Sequence, residues 1–313
     1  MNKPARQPRR ALHGVILLDK PLGWTSNDAL QKVKGMLRAE KAGHTGTLDP
    51  LATGLLPLCF GAATKFSQAS LDADKRYTAT LHLGQRTTTG DREGEVIEER
   101  PVQITRAAIE AACAALTGTI EQLPPMHSAL KHQGKALYEY ARAGVEIERA
   151  PRRVQIHRLD IVRWQDAELV IDVACSKGTY IRTLAEDLGH ALGCGAHLSA
   201  LRRTGSGQLT LEAAITLEDL QALSEAERDA RLLPPDVLVA GWPAVDLHDD
   251  EAGRFLTGLR RRVVMADTPA VRVYRRPPEP PDAPRAFLGT AHITAGELIA
   301  DRLLSPIEVQ DAK

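Results

Sequence analysis

The sequence predicts an α+β fold, with a mixed, largely antiparallel central sheet flanked by helices and a small C-terminal domain rich in short strands. Strand-like and helix-like segments are interleaved without the repeated strand–helix–strand units of a doubly wound sheet. The 313 residues suffice for about two domains, and two proline-containing steps between residues 234 and 243 mark a linker. We therefore predict domains at residues 11–245 and 246–313.

The N-terminal segment predicts an arm, a strand and a helix, in that order. Residues 1–10 contain four basic side chains, two prolines and no acid, which is typical of a disordered basic arm. Residues 13–18 form the apolar run of a short strand. The hydroxyls of Thr25 and Ser26 are suited to cap the helix that apolar spacing predicts over 27–38.

Residues 43–61 are rich in glycine and proline, and their apolar residues fit neither a helix nor a simple strand. We predict a structured loop that holds Asp49 at the edge of a strand. A carboxylate fixed in this way is oriented in advance for nucleophilic chemistry. An aspartate before a proline is also a common turn former, so the pattern alone leaves both roles open.

The later elements of the first domain follow from apolar periodicity. The predicted strands lie at 76–84 and 169–175, and the predicted helices at 106–116, 179–192 and near 217–229.

Arg182 lies in the first turn of the helix predicted over 179–192. From there its guanidinium could pair with a carboxylate from another loop and keep that group ionised. An exposed helix arginine is the other interpretation.

A segment from about 124 to 153 is predicted to leave the central sheet as an insertion. It begins with two prolines and carries six basic residues, with Tyr138 and Tyr140 among them.

The composition excludes several classes of protein. Hydrophobic residues make up 43% and charged residues 26% of the chain, which excludes disordered, collagenous and membrane-spanning proteins. The first apolar run, residues 15–18, is too short for a signal peptide or a membrane span, so we expect a cytoplasmic protein. The four cysteines and the scattered histidines lack zinc-ligand spacing. We expect reduced, buried thiols and no metal.

Six segments occur in the same order as in a known family. They are LDKPLGWTS, GHTGTLDPLATGLLPL, KRYTATLHLGQRTTTGD, PPMHSALKHQGKALYEYARAG, CSKGTYIRTLAEDLG and LRRTGSG. Through them, residues 13–209 resemble the bacterial TruB family, the tRNA pseudouridine synthases that act on the TΨC loop. The resemblance implies the pseudouridine synthase fold, an RNA-binding insertion at 124–153 and a PUA-like RNA-binding domain at 246–313. It also implies conversion of uridine 55 of tRNA to pseudouridine without a cofactor, by a monomer that needs no protein partner.

Three residues take catalytic roles through this resemblance. Asp49 matches the catalytic aspartate, and Arg182 matches the arginine that pairs with it. Tyr77 matches the tyrosine that stacks on the target base and has been proposed to help move the C5 proton. The carboxylate could attack C6 of the uracil, attack C1′ of the ribose or take the C2′ proton, and the sequence leaves these routes open.

Five further residues are assigned to the substrate site in the same way. Tyr180 and Leu201 match residues that line the uridine pocket, and His44 matches a histidine that helps hold the RNA extruded. Lys20 matches a motif that packs beneath the active site, where we expect a structural role. Asp91 matches an acid near the pocket, and a turn aspartate is its equal alternative.

Two other classes of function compete with this prediction. A non-catalytic RNA-binding protein or RNA chaperone would use the same surface without a nucleophile, and a tRNA folding activity could also accompany catalysis. A glycosidase or phosphotransfer enzyme would use Asp49 alone, but glycosidases usually pair two carboxylates, and no second one is suggested by spacing.

The chain carries 40 basic and 40 acidic residues, so its net charge is zero, yet the charges are unevenly placed. Basic residues concentrate in the arm, in the insertion, at Arg202 and Arg203, and over 254–276, whereas acids concentrate at 91–99, 218–229 and 246–251. We expect the acidic clusters to face away from the RNA, and RNA binding to weaken steeply with salt.

Overall fold

The computed structural model describes residues 8–276 and 285–311, so most of the predicted basic arm, residues 1–7, lies outside the described residues. Arg10, at the end of that arm, is held in place. Its Nη1 donates to Asp229 Oδ1 at 3.0 Å, and its backbone forms a bridge with Ala39. The prediction of disorder is therefore wrong for Arg10.

The strands are β1 (Gly14–Lys20), β2 (Ala42–His44), β3 (Ala52–Phe60), β4 (Lys75–Leu83), β5 (Gln85–Thr87), β6 (Val96–Glu99), β7 (Gly118–Gln122), β8 (Lys131–His132), β9 (Lys135–Ala136), β10 (Arg152–Gln165), β11 (Glu168–Cys175), β12 (Ala196–Ser206), β13 (Leu209–Thr210), β14 (Ile215–Thr216), β15 (Ala244–Leu247), β16 (Arg261–Arg262), β17 (Thr268–Arg275), β18 (Ala286–Thr294) and β19 (Glu297–Leu303). The helices are α1 (Ser26–Met36), α2 (Ser67–Asp72), α3 (Arg106–Ala115), α4 (Leu137–Arg142), α5 (Ile181–Ala191), α6 (Leu217–Ala222), α7 (Glu225–Asp229), α8 (Asp249–Leu256) and α9 (Pro306–Asp311), with short 3₁₀ helices at Gly61–Phe66, Leu211–Ala213 and Pro235–Val239.

The central sheet has the strand order β14-β1-β3-β12-β4-β11-β10-β7. β1 with β3, and β4 with both β11 and β12, are antiparallel, whereas β12 with β3 is parallel. This confirms the mixed, largely antiparallel sheet, and the strands and helices predicted from clear periodicity are present.

The side chains of β1 divide between two cores, because successive residues of a strand point to opposite faces of the sheet. Ile16 and Leu18 pack in the core covered by α1, α3 and α5. Val15 and Leu17 pack in a second core, which includes side chains of the C-terminal sheet. The central sheet therefore has buried residues on both faces, and β1 is a continuous apolar run without alternation.

The prediction that residues 43–61 form a loop is wrong at its start, where β2 ends at His44, and for the second half of that segment. Ala52–Phe60 is β3, a central strand that pairs with β1 from Gly54 to Phe60. Gly54 has a φ of +98°, and a Cβ there would lie 2.3 Å from the backbone oxygen of Arg203 on β12. Glycine is required because the two parallel strands approach so closely.

We expect Gly54→Ala to destabilise the fold by roughly 3 kcal/mol, since central strands must separate to accommodate the methyl group. Gly35→Ala is the matched control, because a Cβ at this position of α1 meets open space and alanine should stabilise a helix by about 0.5 to 1 kcal/mol. Thermal unfolding of both variants tests the expectation. A Gly54→Ala protein as stable as the wild type would contradict it.

The helix predicted near 217–229 is two helices, α6 and α7. Ser224 begins the second one through a capping box with Glu227, in which the Ser224 backbone N donates to Glu227 Oε2 at 2.8 Å. A hydroxyl that satisfies the free N–H groups of a helix start favours a new helix at that point over continuation of the first.

The insertion leaves the central sheet after β7 and contains the β8–β9 hairpin and α4. Arg152 and Arg153, which we predicted to end it, already belong to β10 and pair with Gln122 and Glu121 of β7. The excursion therefore ends at about residue 151.

The C-terminal part has its own sheet, in the order β15-β17-β18-β19-β16. Its first strand begins at Ala244, so the predicted boundary between residues 245 and 246 falls inside that strand. All four cysteines are free and buried, as expected. Across residues 8–276 and 285–311, no helix has both the length and the apolar character needed to cross a membrane.

Candidate active site

A cavity of about 760 Å³ lies between the loop that carries Asp49, the start of α5 and the insertion. Seven of the eight site residues named from the sequence line it. They are His44, Asp49, Tyr77, Asp91, Tyr180, Arg182 and Leu201. The eighth, Lys20, does not.

The backbone of the Asp49 loop is fixed from both sides. Ser26 Oγ donates to the Leu48 carbonyl at 3.1 Å and accepts from the Leu48 N–H at 2.8 Å. The Asp49 carbonyl accepts from the Ala52 N–H at 3.0 Å, where β3 begins. The Asp49 side chain is 39% exposed, so the carboxylate faces the cavity from a rigid support.

Arg182 connects Asp49 to the rest of the site and is only 6% exposed. Its Nη2 lies 3.0 Å from Asp49 Oδ2 and donates to the His127 carbonyl at 2.6 Å. Its Nη1 donates to the Thr89 carbonyl at 3.3 Å, and its Nε lies 3.6 Å from Asp91 Oδ2. A planar guanidinium with these contacts presents a fixed edge to Asp49.

Asp91 is a buried carboxylate that combines both roles considered for it. Its Oδ1 accepts from Thr89 Oγ1 at 2.6 Å and from the Glu93 N–H at 3.0 Å, which makes it a turn aspartate. Its Oδ2 faces Arg182. Asp91 therefore sits behind the arginine as a second, buried counter-charge.

Tyr77 and Arg203 are cross-strand neighbours of β4 and β12. Arg203 is 1% exposed, with Nε donating to the Leu55 carbonyl at 2.7 Å and Nη2 to the Gly46 carbonyl at 3.1 Å. Burial raises the pKa of Tyr77, and the adjacent Arg203 guanidinium opposes that rise. Tyr77 is thus a neutral phenol at neutral pH, with its ring on the cavity wall.

The expectation that Arg203 is a surface charge facing RNA is wrong. Neighbouring residues of a strand face opposite sides, and Arg202 is the outward one, with Nη2 2.6 Å from Asp19 Oδ2. A register shift between Leu198 and Ala200 interrupts the alternation along β12, so the sequence alone carried no signal that separates the two arginines.

His44, Tyr180 and Leu201 complete the walls of the cavity. His44 Nδ1 is buried and has no hydrogen-bond partner within the described part of the chain. Burial, and then the Arg203 charge, lower the pKa of His44, so its ring is neutral at pH 7. The Tyr180 N–H donates to Gln122 Oε1 at 3.0 Å, which fixes the start of α5, and Leu201 lies on β12.

Lys20 is buried away from the cavity. Its Nζ donates to the Pro21 carbonyl at 2.9 Å and to the Trp24 carbonyl at 2.6 Å. Burial lowers the pKa of Lys20 to about 8, and the nearby Asp49 carboxylate opposes that shift. These contacts agree with the expected structural role beneath the site, and the geometry does not support a direct contact with substrate.

We expect Lys20→Met to lower the free energy of unfolding by about 1 to 3 kcal/mol, because two carbonyl groups lose their donor. Turnover per folded molecule should stay near that of the wild type. Thermal unfolding and single-turnover kinetics on the same preparation separate the two effects. A large loss of turnover at unchanged stability would instead place Lys20 in the chemistry.

Sequence reasoning missed a second buried cation, Lys75, which also lines the cavity. Its Nζ donates to the carbonyls of Ser70 and Leu71, each at 2.8 Å. Burial, and then the Arg203 charge, lower the pKa of Lys75 to about 8. A lysine in an alternating strand carries no sequence signal that distinguishes this position from a solvent-exposed one.

We predicted that the acidic clusters face away from the RNA, but the structure places part of the 91–99 cluster at the cavity. Asp91 and Glu93 line the cavity itself. Glu225 of the 218–229 cluster lies 2.7 Å from Arg38. These acids are therefore partners of specific arginines or part of the site.

The described residues contain no group of three or more histidine, cysteine, aspartate or glutamate side chains placed to hold a metal ion. The groups that line the cavity include the Asp49 carboxylate, the Arg182 guanidinium and the Tyr77 phenol.

Solved structures share this architecture. A chain of a Cbf5–Nop10–Gar1 complex superposes with a TM-score of 0.72 at 25% identity, covering 99% of this chain and 93% of that one. A chain of an H/ACA RNP bound to a substrate RNA containing 2′-deoxyuridine gives a TM-score of 0.71 at 25% identity, covering 95% and 86%. The chain therefore has the pseudouridine synthase fold.

Sequence comparison places the chain more narrowly. Residues 34–181 match the TruB family pseudouridylate synthase N-terminal domain, and residues 182–240 match the tRNA pseudouridylate synthase B C-terminal domain. The chain belongs to the TruB family. It is 56% identical over 309 residues to tRNA pseudouridine synthase B of Ralstonia pickettii (strain 12J), covering 96% of this chain and 97% of that protein. The corresponding protein of Verminephrobacter eiseniae (strain EF01-2) is 57% identical over 311 residues, covering 97% and 92%.

Proposed function

We propose that the protein converts uridine 55 in the TΨC loop of tRNA to pseudouridine. The observation that carries this proposal is the 3.0 Å contact between Asp49 Oδ2 and Arg182 Nη2 in a cavity that Tyr77 also lines. Tyrosine, aspartate and arginine come from three separate segments of the chain, and only the fold assembles them. The relatives above are named tRNA pseudouridine synthase B.

The reaction is an isomerisation, so it needs neither a redox partner nor a group donor. The N1–C1′ bond of the nucleotide breaks, the uracil rotates, and C5 bonds to C1′. Over the whole reaction C5 gives up a proton and N1 gains one. Each route open to Asp49, whether at C6, at C1′ or at the C2′ proton, uses its carboxylate as a nucleophile or a base, and the Arg182 guanidinium lies 3.0 Å from that carboxylate.

The target base must leave the RNA stack to reach Asp49, which costs a few kcal/mol. Stacking on Tyr77 returns roughly 1 to 3 kcal/mol of that cost. His44 lines the cavity wall, where the displaced RNA would pass it. Leu201 and Tyr180 provide the remaining apolar contacts for the ring.

The protein acts on tRNA as a monomer in the cytoplasm, without a protein partner or cofactor. The insertion and the C-terminal sheet contribute RNA contacts outside the catalytic cavity. Phosphate contacts of this kind make affinity fall with salt, and the arginines left outside internal ion pairs are the ones expected to provide them.

Incubation of the purified protein with an unmodified tRNA transcript tests the proposal. We expect pseudouridine, mapped by chemical adduct sequencing, at position 55 and no other. Binding of the transcript without any modification would favour a non-catalytic RNA-binding or chaperone protein instead.

A further inference from the structure

Two residues of the insertion, Tyr138 and Arg142, line the same cavity as Asp49. They are one helical turn apart on α4, and the Arg142 guanidinium carbon lies 5.3 Å from the centre of the Tyr138 ring. The Tyr138 residue is 39% exposed. A large aromatic ring at the cavity mouth therefore keeps much of its surface open beside a positive charge.

Tyr140, two residues further on, is used differently. Its hydroxyl donates to the His132 carbonyl at 3.2 Å, and its ring packs edge-on against the His132 ring at 5.9 Å. Lys135 Nζ lies 4.9 Å from the same ring. Tyr140 thus stabilises the insertion itself, whereas Tyr138 faces the cavity where the substrate binds.

The position of Tyr138 is tied to the catalytic pair through the backbone. The Tyr138 N–H donates to the Ser128 carbonyl at 3.1 Å. The residue before Ser128 is His127, whose carbonyl accepts the hydrogen bond from Arg182 Nη2. A short stretch of main chain therefore fixes the distance between the Tyr138 ring and the Asp49–Arg182 pair.

Of the three tyrosines that line the cavity, Tyr77 and Tyr138 provide aromatic walls at different depths. Tyr77 lies at the buried end, on β4, and Tyr138 lies at the outer end, on the insertion. An aromatic face binds an unpaired nucleobase of any identity by stacking, and a nearby arginine binds the phosphate that accompanies it. A single uracil occupies one of these walls.

We propose that Tyr138 is a second base-binding residue, on which an unpaired base of the RNA loop next to the target uridine stacks while Arg142 pairs with its phosphate. The inference rests on the proposed function, since it requires an RNA loop in the cavity. It assigns to the insertion a positioning role, holding the loop so that the target uridine reaches Asp49.

The test uses the full-length protein and RNA hairpins that carry the loop sequence, intact or with one abasic nucleotide at each position flanking the target. We expect Tyr138→Ala to lower kcat/KM on the intact hairpin about 5- to 150-fold, and Tyr138→Phe, which keeps the ring, to stay near the wild type. At one flanking position, the abasic nucleotide should lower the kcat/KM of the wild type by a similar factor. The same abasic hairpin should not lower the kcat/KM of Tyr138→Ala any further. Arg142→Gln should reduce the slope of log affinity against log salt by about one.

Additive losses at every flanking position, or unchanged kcat/KM for Tyr138→Ala, would overturn the inference while leaving the proposed function in place. If the wild type formed no pseudouridine, the proposed function would fail. The same variants and hairpins compared by binding affinity would then test whether Tyr138 binds a base, because stacking contributes to binding whether or not chemistry follows.

Discussion

Replacing Asp49 by asparagine is expected to abolish pseudouridine formation and to leave the fold and tRNA binding intact. Asparagine has nearly the same shape, but it is neutral and is neither a nucleophile nor a base. Loss of a group of this kind lowers turnover roughly 10⁴- to 10⁶-fold. The fold survives because the loop is held by backbone hydrogen bonds through Ser26 and Ala52 and not by the carboxylate.

The measurement combines single-turnover pseudouridine formation, tRNA affinity and thermal unfolding. Asp74→Asn is the matched control, because this carboxylate is 62% exposed and lies 3.1 Å from His157, away from the cavity. It should behave as the wild type in all three assays. Turnover by Asp49→Asn within tenfold of the wild type would refute the catalytic assignment.

The fold was predictable where local pattern and tertiary environment agree. The strand at 169–175 and the helix at 179–192 have clear periodicity, and both are present as β11 and α5. β3 was missed because Gly54 and Pro57 have the composition of a loop. Glycine is required at position 54 because the backbone of Arg203 on β12 lies against it. No local window of sequence contains that contact.

The pairing of Asp49 with Arg182 was only partly visible in the residue pattern. Spacing left Asp49 as either a turn former or a nucleophile and Arg182 as either a partner or a surface residue, and the family resemblance chose between them. The two lie on segments that are distant along the chain, so their 3.0 Å contact is a product of the sheet topology. Pattern analysis of single segments cannot supply it.

The support beneath the site was the least predictable part. Thr25 caps α1 as expected, accepting from the Asp28 N–H at 3.0 Å, but Ser26 instead bonds the backbone of Leu48. Arginine is a residue type typical of RNA-binding surfaces, yet Arg203 is fully buried behind Tyr77. In each case the residue type is ordinary, and its use depends on which distant backbone it meets.

Replacing Arg182 by lysine is expected to reduce turnover about 10²- to 10³-fold and to change tRNA affinity far less. A lysine keeps the charge but presents one ammonium in place of a planar fork. Breaking a buried ion pair costs about 3 to 5 kcal/mol. The pair that should lose most is Arg182 with Asp91, because both of these side chains are buried. Some of the cost should therefore appear as a lower melting temperature.

Steady-state kcat, affinity and thermal unfolding separate these contributions, with Arg202→Lys as the control. Arg202 pairs with Asp19 at the surface, where an ion pair is worth only about 0 to 1 kcal/mol, so its replacement should leave kcat within a few-fold of the wild type. Equal losses of turnover and affinity in Arg182→Lys would make Arg182 an RNA contact. A loss confined to kcat would show that the guanidinium acts through Asp49. The Nη2 group that contacts Asp49 also donates to the His127 carbonyl, and a single ammonium cannot keep the whole set of contacts in place.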